Sequence, residues 1–254
     1  MLEVAWAAVE QVEPRVCQFL SEGEVARAAR HHHPKSRAAS VAGAALMRAL
    51  VARHLACLPS QVRLVRWCPV CKKHSDHGQP QVEADTRLFL SLSHTDSTAV
   101  VAVSDLGPVG VDVERPEATR FVGFEIVALH PVEMDAIAQL DRRLREEARA
   151  SLWVRKEAVL KCGGLGLLGR PSDVLTNWPA ISPRLVGWPT ELDRFIAEFG
   201  VLSVTDLDAP AGHVAALAVA DDDARREPLS VDGNAILRRA SMQVSACDSR
   251  TGCG

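Results

Sequence analysis

Hydrophobic and polar positions recur with two different periods along this chain, and the switches between them outline its elements. Ser21-Glu22-Gly23-Glu24 places serine and glutamate three apart, the spacing of a capping box, and opens a helix running to about Arg30. A second helix starts near Ser36, carries Ala44, Leu46, Met47, Leu50 and Val51, and ends by Leu58-Pro59. Its apolar surface is wide enough to be buried against a sheet. Strand-like stretches follow over 62–67, 87–93, 99–104 and 109–114, separated by turn residues at Thr95-Asp96-Ser97 and Asp105-Leu106-Gly107-Pro108. The second half repeats the order. Helices over 132–140 and 144–162, the longer one stopped at Gly163-Gly164, precede strands over 201–207 and 213–220. This order predicts an α+β protein of two halves, 1–108 and 109–220. Residues 221–254 read as a polar, flexible tail with at most one short helix over 234–244.

Composition narrows the function classes. With 254 residues, 47% of them hydrophobic, there is material for a packed core. A net charge of -3 offers no global attraction for nucleic acid or an acidic membrane, so any polyanion must meet a local basic patch. The start, Met1 to Pro14, has acids at Glu3 and Glu10 and does not resemble a secretory peptide; no apolar run reaches the ~20 residues of a membrane span. Seven cysteines in such a chain are too few for a disulfide scaffold, and a reducing cytoplasm is the expected location.

Four constellations could carry chemistry. In Gly110-Val111-Asp112-Val113-Glu114, a strand would direct Asp112 and Glu114 to one face and Val111 and Val113 to the core. Paired carboxylates suit a hard divalent cation; the alternative is a solvated acidic strand face. On a helix, Trp153, Glu157 and Lys161 share one stripe, with Glu157 a third cation ligand and Lys161 a phosphate donor, or else the two are an ordinary ion pair. Gly163, Gly164 and Gly166 follow, where backbone could approach a ligand closely. Ser91-Leu92-Ser93-His94 ends a strand and could meet a phosphate. Arg27, Arg30, Arg37 and Arg48 form a basic set on the first helices, grips for phosphate or solvated charge. Apart from these, Cys68-Pro69-Val70-Cys71 with His74 and His77 reads either as a structural loop or as a small zinc knuckle.

The order of the four along the chain resembles the Sfp-type 4'-phosphopantetheinyl transferases, in which G-x-D-x-E precedes W-x-x-K-E by about forty residues; the likeness spans roughly 20–220. It implies a pseudo-dimer of two similar subdomains with the active site in the cleft between them, acting as a monomer. It implies that Asp112, Glu114 and Glu157 hold magnesium, with manganese an alternative, on the diphosphate of coenzyme A. Lys161 would contact the phosphates, and Glu157, directly or through a metal-bound water, would take the serine proton of an apo acyl- or peptidyl-carrier protein. Arg37 would grip the 3'-phosphate with His94, next to Ser93, and Arg27 would add a basic contact. Gln79-Pro80 stands where the family has Lys-Pro near the adenine, so a positive charge is missing there. The family's habit suggests carriers of polyketide and peptide synthesis. The carrier would dock against apolar residues around Phe121 to Leu129. A non-catalytic coenzyme A or carrier-binding module of the same fold is the alternative reading, and a transfer assay separates the two.

Overall fold

The computed structural model describes residues 1–251 except 69–70, 75–77, 84–85, 178–182 and 222–226. The first half opens with β1 (Leu2–Ala8), then α1 (Glu22–Ala29) and the long α2 (Pro34–Leu55). Five strands follow: β2 (Leu64–Cys68), β3 (Lys73–His74), β4 (Gln79–Val82), β5 (Phe89–His94) and β6 (Thr98–Ser104). The second half runs β7 (Val109–Glu114), α3 (Phe124–Ala128), α4 (Pro131–Ala138), α5 (Arg142–Cys162), β8 (Leu175–Thr176), β9 (Leu185–Gly187), α6 (Asp193–Phe199), β10 (Leu202–Asp206) and β11 (Val214–Ala220). The chain closes with β12 (Leu229–Asp232) and α7 (Gly233–Thr251).

The halves repeat one topology. Strand, long helix and hairpin build the order β1-β6-β5 in the first, with α2, and β7-β11-β10 in the second, with α5. The first sheet is extended to β12-β1-β6-β5-β4-β2-β3. The layers stack as helix, sheet, sheet, helix. Between the sheets lie Leu2, Val4, Val100 and Ala102 against Val109, Val111, Val113, Ala215 and Leu217. The outer face of the first sheet buries Ala5, Ala7, Val101 and Val103 under Leu46, Leu50 and Val51 of α2. The outer face of the second is covered by Val154, Ala158, Val159 and Leu160 of α5. Burying this much apolar surface on both faces of β6 explains its unbroken Thr-Ala-Val-Val-Ala-Val run.

Period two in β7 therefore has a structural meaning. Its valines enter the layer between the sheets, and Gly110, Asp112 and Glu114 turn toward α5. Gly110 is required by that approach, because a Cβ there would stand 2.0 Å from the Ala158 carbonyl oxygen.

The two ends of the chain add one strand and correct one expectation. The N-terminal residues, read only for what they exclude, form an inner strand. Its Glu3 is buried and satisfied by Arg53 and by His54, 2.9 Å away. Of the stretch read as a flexible polar tail, the described residues 227–251 include a strand and a helix that belong to the first half. Strand β12 pairs parallel with β1, and Leu237 and Ala240 of α7 enter the core against α2. Asn234 clamps the join, accepting from the Ala8 amide at 2.8 Å and donating to the Ala8 carbonyl at 3.1 Å. The sequence pattern is weak here because β12 lies at a sheet edge and α7 buries only one stripe.

Candidate active site

A cavity of about 470 Å³ opens where the two halves meet. The first half contributes Arg66, Gln79, Pro80, Ser91 and Ser93; the second contributes Asp112, Glu114, Trp153, Glu157, Lys161 and the loop from Gly164 to Leu168. The i, i+4, i+8 stripe of α5 is thus the wall facing the acidic face of β7. Gly164 and Gly166 adopt left-handed φ values of 73° and 49°, which turn the chain sharply back along the cavity rim.

The acids are held by neighbours from both halves. Asp112 Oδ1 accepts from Lys161 Nζ at 2.6 Å and from Ser93 Oγ at 2.7 Å. Lys161 Nζ also donates to the Val111 carbonyl at 3.2 Å. Ser91 Oγ accepts from the Val111 amide at 3.0 Å, and Gln79 Nε2 donates to the Lys161 carbonyl at 3.3 Å. Lys156 of the W-x-x-K-E motif points away. Fully buried, it pairs with Glu133 at 2.5 Å and donates to the Pro171 carbonyl, which anchors α5 to α4. Glu157 is carried by the same helix turn as this buried pair.

One ammonium faces three carboxylates, and the electrostatics reflect the shortage of positive charge. Burial, and then the Asp112 charge, push Glu157 up to about 7, against the opposing pull of Lys161. Burial, Asp112 and Glu157 likewise push Glu114 up to about 7. Asp112 Oδ2 and Glu157 Oε1 are buried without a hydrogen-bond partner. Orphaned carboxylate oxygens at a cavity wall are a fitting donor set for a hard divalent cation. The acids line the cavity as neighbours and are not drawn into a tight cage: among the described residues, no three His, Cys, Asp or Glu side chains form a closed metal cluster.

Two smaller cavities adjoin the first. One of about 260 Å³ is lined by Arg27, His31, Ser40, Arg66, Ser93, His94 and Lys161. Burial, then the charges of His31 and Lys161, hold the His94 imidazole below its ordinary value. The other, about 370 Å³, includes Ser21, Arg27, Met47, Leu64, Arg66 and Pro80.

The sequence-selected residues divide accordingly. Asp112, Glu114, Glu157, Lys161, Gln79, Pro80 and Ser93 share the main cavity; Arg27 and His94 lie in its branch. Arg37 is not with them: it lines none of these cavities, and its guanidinium donates to the His31 carbonyl, because the first turn of α2 leaves it on the exposed side. Arg48 is structural, buried against Glu24 at 2.7 Å and the Pro59 and Val62 carbonyls. Ser93 lines the main cavity and its branch and donates to Asp112. Sequence reasoning missed His31 and Arg66. The Cys71 amide donates to Cys68 Sγ at 3.3 Å, while His77 and the His74 side chain of the candidate zinc set lie outside the described residues.

The acidic strand and the helix that faces it fall inside a recognised domain. Residues 108–218 match the model of the 4'-phosphopantetheinyl transferase superfamily. Among curated members with that activity in their names, the chain is similar to a putative transferase of Synechocystis sp., 27% identical over 63% of this chain and 63% of the relative. It is 28% identical to HetI of Nostoc sp. over 58% of this chain and 61% of that one. It is 35% identical to AcpT of Escherichia coli O157:H7 over 36% of this chain and 47% of that protein. The matches thus span less than two thirds of the length of these 4'-phosphopantetheinyl transferases. A solved holo-[acyl-carrier-protein] synthase from Neisseria meningitidis aligns at 21% identity and a TM-score of 0.37, covering 45% of this chain and 98% of that one. No helix among the described residues is long and apolar enough to cross a membrane.

Proposed function

We propose that this chain is a 4'-phosphopantetheinyl transferase of the Sfp type, moving the phosphopantetheine arm of coenzyme A to a serine of an apo carrier protein. The observation that carries this reading is the meeting of Asp112 and Glu114 with Glu157 and Lys161 in one cavity, with two buried carboxylate oxygens unpartnered. Asp112, Glu114 and Glu157 would hold magnesium or manganese, which supplies charge neutralisation of the diphosphate when bound.

The chain's own residues perform the rest. The carrier serine oxygen bonds to the phosphorus that bears the pantetheine. The bond from that phosphorus to the bridging oxygen breaks, and 3',5'-ADP leaves with the electron pair. Glu157, on the cavity wall, accepts the hydroxyl proton. Lys161 stabilises charge developing on the phosphate oxygens. Arg27 and His94 lie where the nucleotide end would extend. Both cavity walls come from one chain, so the reading requires no second copy.

The carrier is assigned to the rim beside α3. Phe121, Val122, Ile126 and Val127 are exposed there, and Val122 is 102% exposed. Phe124 beneath them packs on Trp153 of the cavity wall, with ring centroids 5.7 Å apart. An apolar helix face on the carrier would cover this patch and bring its serine to the mouth. Carriers of polyketide and peptide assembly are the proposed partners.

The test incubates the protein with apo-carrier, coenzyme A and magnesium and measures the mass of the carrier. The wild type adds one phosphopantetheine; Asp112→Ala and Glu157→Ala, folded by circular dichroism, add none. Unimpaired transfer by either variant would remove the assignment.

A further inference from the structure

Three consecutive charges on α5 point in three directions. Successive residues of a helix are turned about 100° from one another, so Arg155, Lys156 and Glu157 cannot share a face. Arg155 is buried and donates to both carboxylate oxygens of Asp206 on β10, at 2.7 and 2.5 Å. Lys156 is fully buried on the side of α4, and Glu157 is left on the cavity wall.

Lys156 Nζ has two ties. It meets Glu133 Oε2 at 2.5 Å and donates to the Pro171 carbonyl at 3.1 Å. The same Glu133 oxygen accepts from the His130 amide at 2.9 Å, so the acid is itself fixed to the first turn of α4. Pro171 stands three residues past Leu168, the last residue of the loop that rims the cavity. One ammonium thus sets the rotation of α5 beneath Glu157 and pins the far end of the rim loop.

As a stabiliser the pair is poorly made. Glu133 Oε1 is buried without a hydrogen-bond partner, and desolvating both charges costs much of what their attraction returns. Apolar side chains of similar size would hold α4 on α5 as firmly. They would not fix a direction, because apolar contacts are non-directional and a short hydrogen-bonded ion pair is not.

We propose that Lys156, through Glu133 and the Pro171 carbonyl, is a positioning residue that aims Glu157 at the cation shared with Asp112 and Glu114. The inference rests on the transferase reading and adds to it the device that orients the third acid.

The test reads cation binding apart from turnover. Manganese is titrated into the full chain with coenzyme A present, against a blank of coenzyme A alone, and the free ion is followed by electron paramagnetic resonance. Melting temperatures are measured alongside. Lys156→Met should melt lower and bind manganese about tenfold or more weakly, the usual size for losing a group that orients a metal ligand. Lys156→Gln, which keeps an N–H for the Pro171 carbonyl, should bind manganese with an affinity between those of Lys156→Met and the wild type. In Lys156→Met/Glu133→Leu no unpaired acid remains, so the melting temperature should return toward that of the wild type while manganese binding stays weak. Transfer by this double variant should show a lowered kcat with the KM for the carrier unchanged. A purely structural pair would instead recover cation binding together with stability. Wild-type manganese affinity in Lys156→Met or in the double variant, whichever folds, overturns the inference alone. A wild type that binds no manganese overturns the inference together with the transferase reading.

Discussion

Ser93 Oγ lies 2.7 Å from Asp112 Oδ1, a hydrogen bond from β5 of the first half to β7 of the second. The serine donates, and so fixes which oxygen remains for a ligand. Lys161 occupies the same Oδ1 from the other side, and Oδ2 is left facing no partner. Ser93→Ala should release the Asp112 side chain to rotate, a loss of about 1 kcal/mol for one such bond. The magnesium concentration giving half-maximal transfer should rise several-fold, and Ser93→Thr should restore it. An unchanged magnesium dependence in Ser93→Ala would show the bond to be incidental.

Glu157 gives a pH dependence whose sign is determined. Its carboxyl is pushed up to about 7 from an ordinary 4.5, by burial and by Asp112. The folded chain therefore holds a proton that the unfolded chain has released, and this contribution to stability is lost as the pH rises through 7. In chelator, the melting temperature of the wild type should fall more steeply between pH 5 and 8 than that of Glu157→Gln, which carries no titrating group. Parallel curves would contradict the assignment of burial as the cause.

On α3, exposure decides which substitution is informative. Ile126 is 80% exposed and Phe124 is 1% exposed, packed with Ile137 and Leu152. Ile126→Asp should raise the KM for the carrier about tenfold with coenzyme A affinity unchanged. Phe124→Asp should instead lower the melting temperature. Equal carrier KM values for Ile126→Asp and wild type would move the docking face elsewhere.

The C-terminal helix is predicted to be a stabilising element. Leu237 is 3% exposed within the core shared by α2 and β1. Leu237→Ala should cost about 2 to 5 kcal/mol, read in denaturant unfolding. A negligible loss would mean that α7 does not pack as a core element.

Sequence periodicity determined a great deal of this molecule. The capping box of Ser21 and Glu24, the two long helices and the hairpins β5–β6 and β10–β11 follow from local spacing. So does the placing of Asp112 with Glu114 on one strand face, and of Trp153, Glu157 and Lys161 on one helix stripe. Those are properties of a period, and a period is visible in neighbours a few residues apart. What spacing cannot state is which element a face meets. Ser93 turning to Asp112, Arg37 left outside the cavities, Arg66 drawn to their junction and Lys156 buried against Glu133 were all decided by packing between distant segments. The same holds for the ends of the chain. Neither β1 nor β12 can bury its apolar side alone, and each became legible only when the fold laid Glu3 beside Leu229 and closed the sheet.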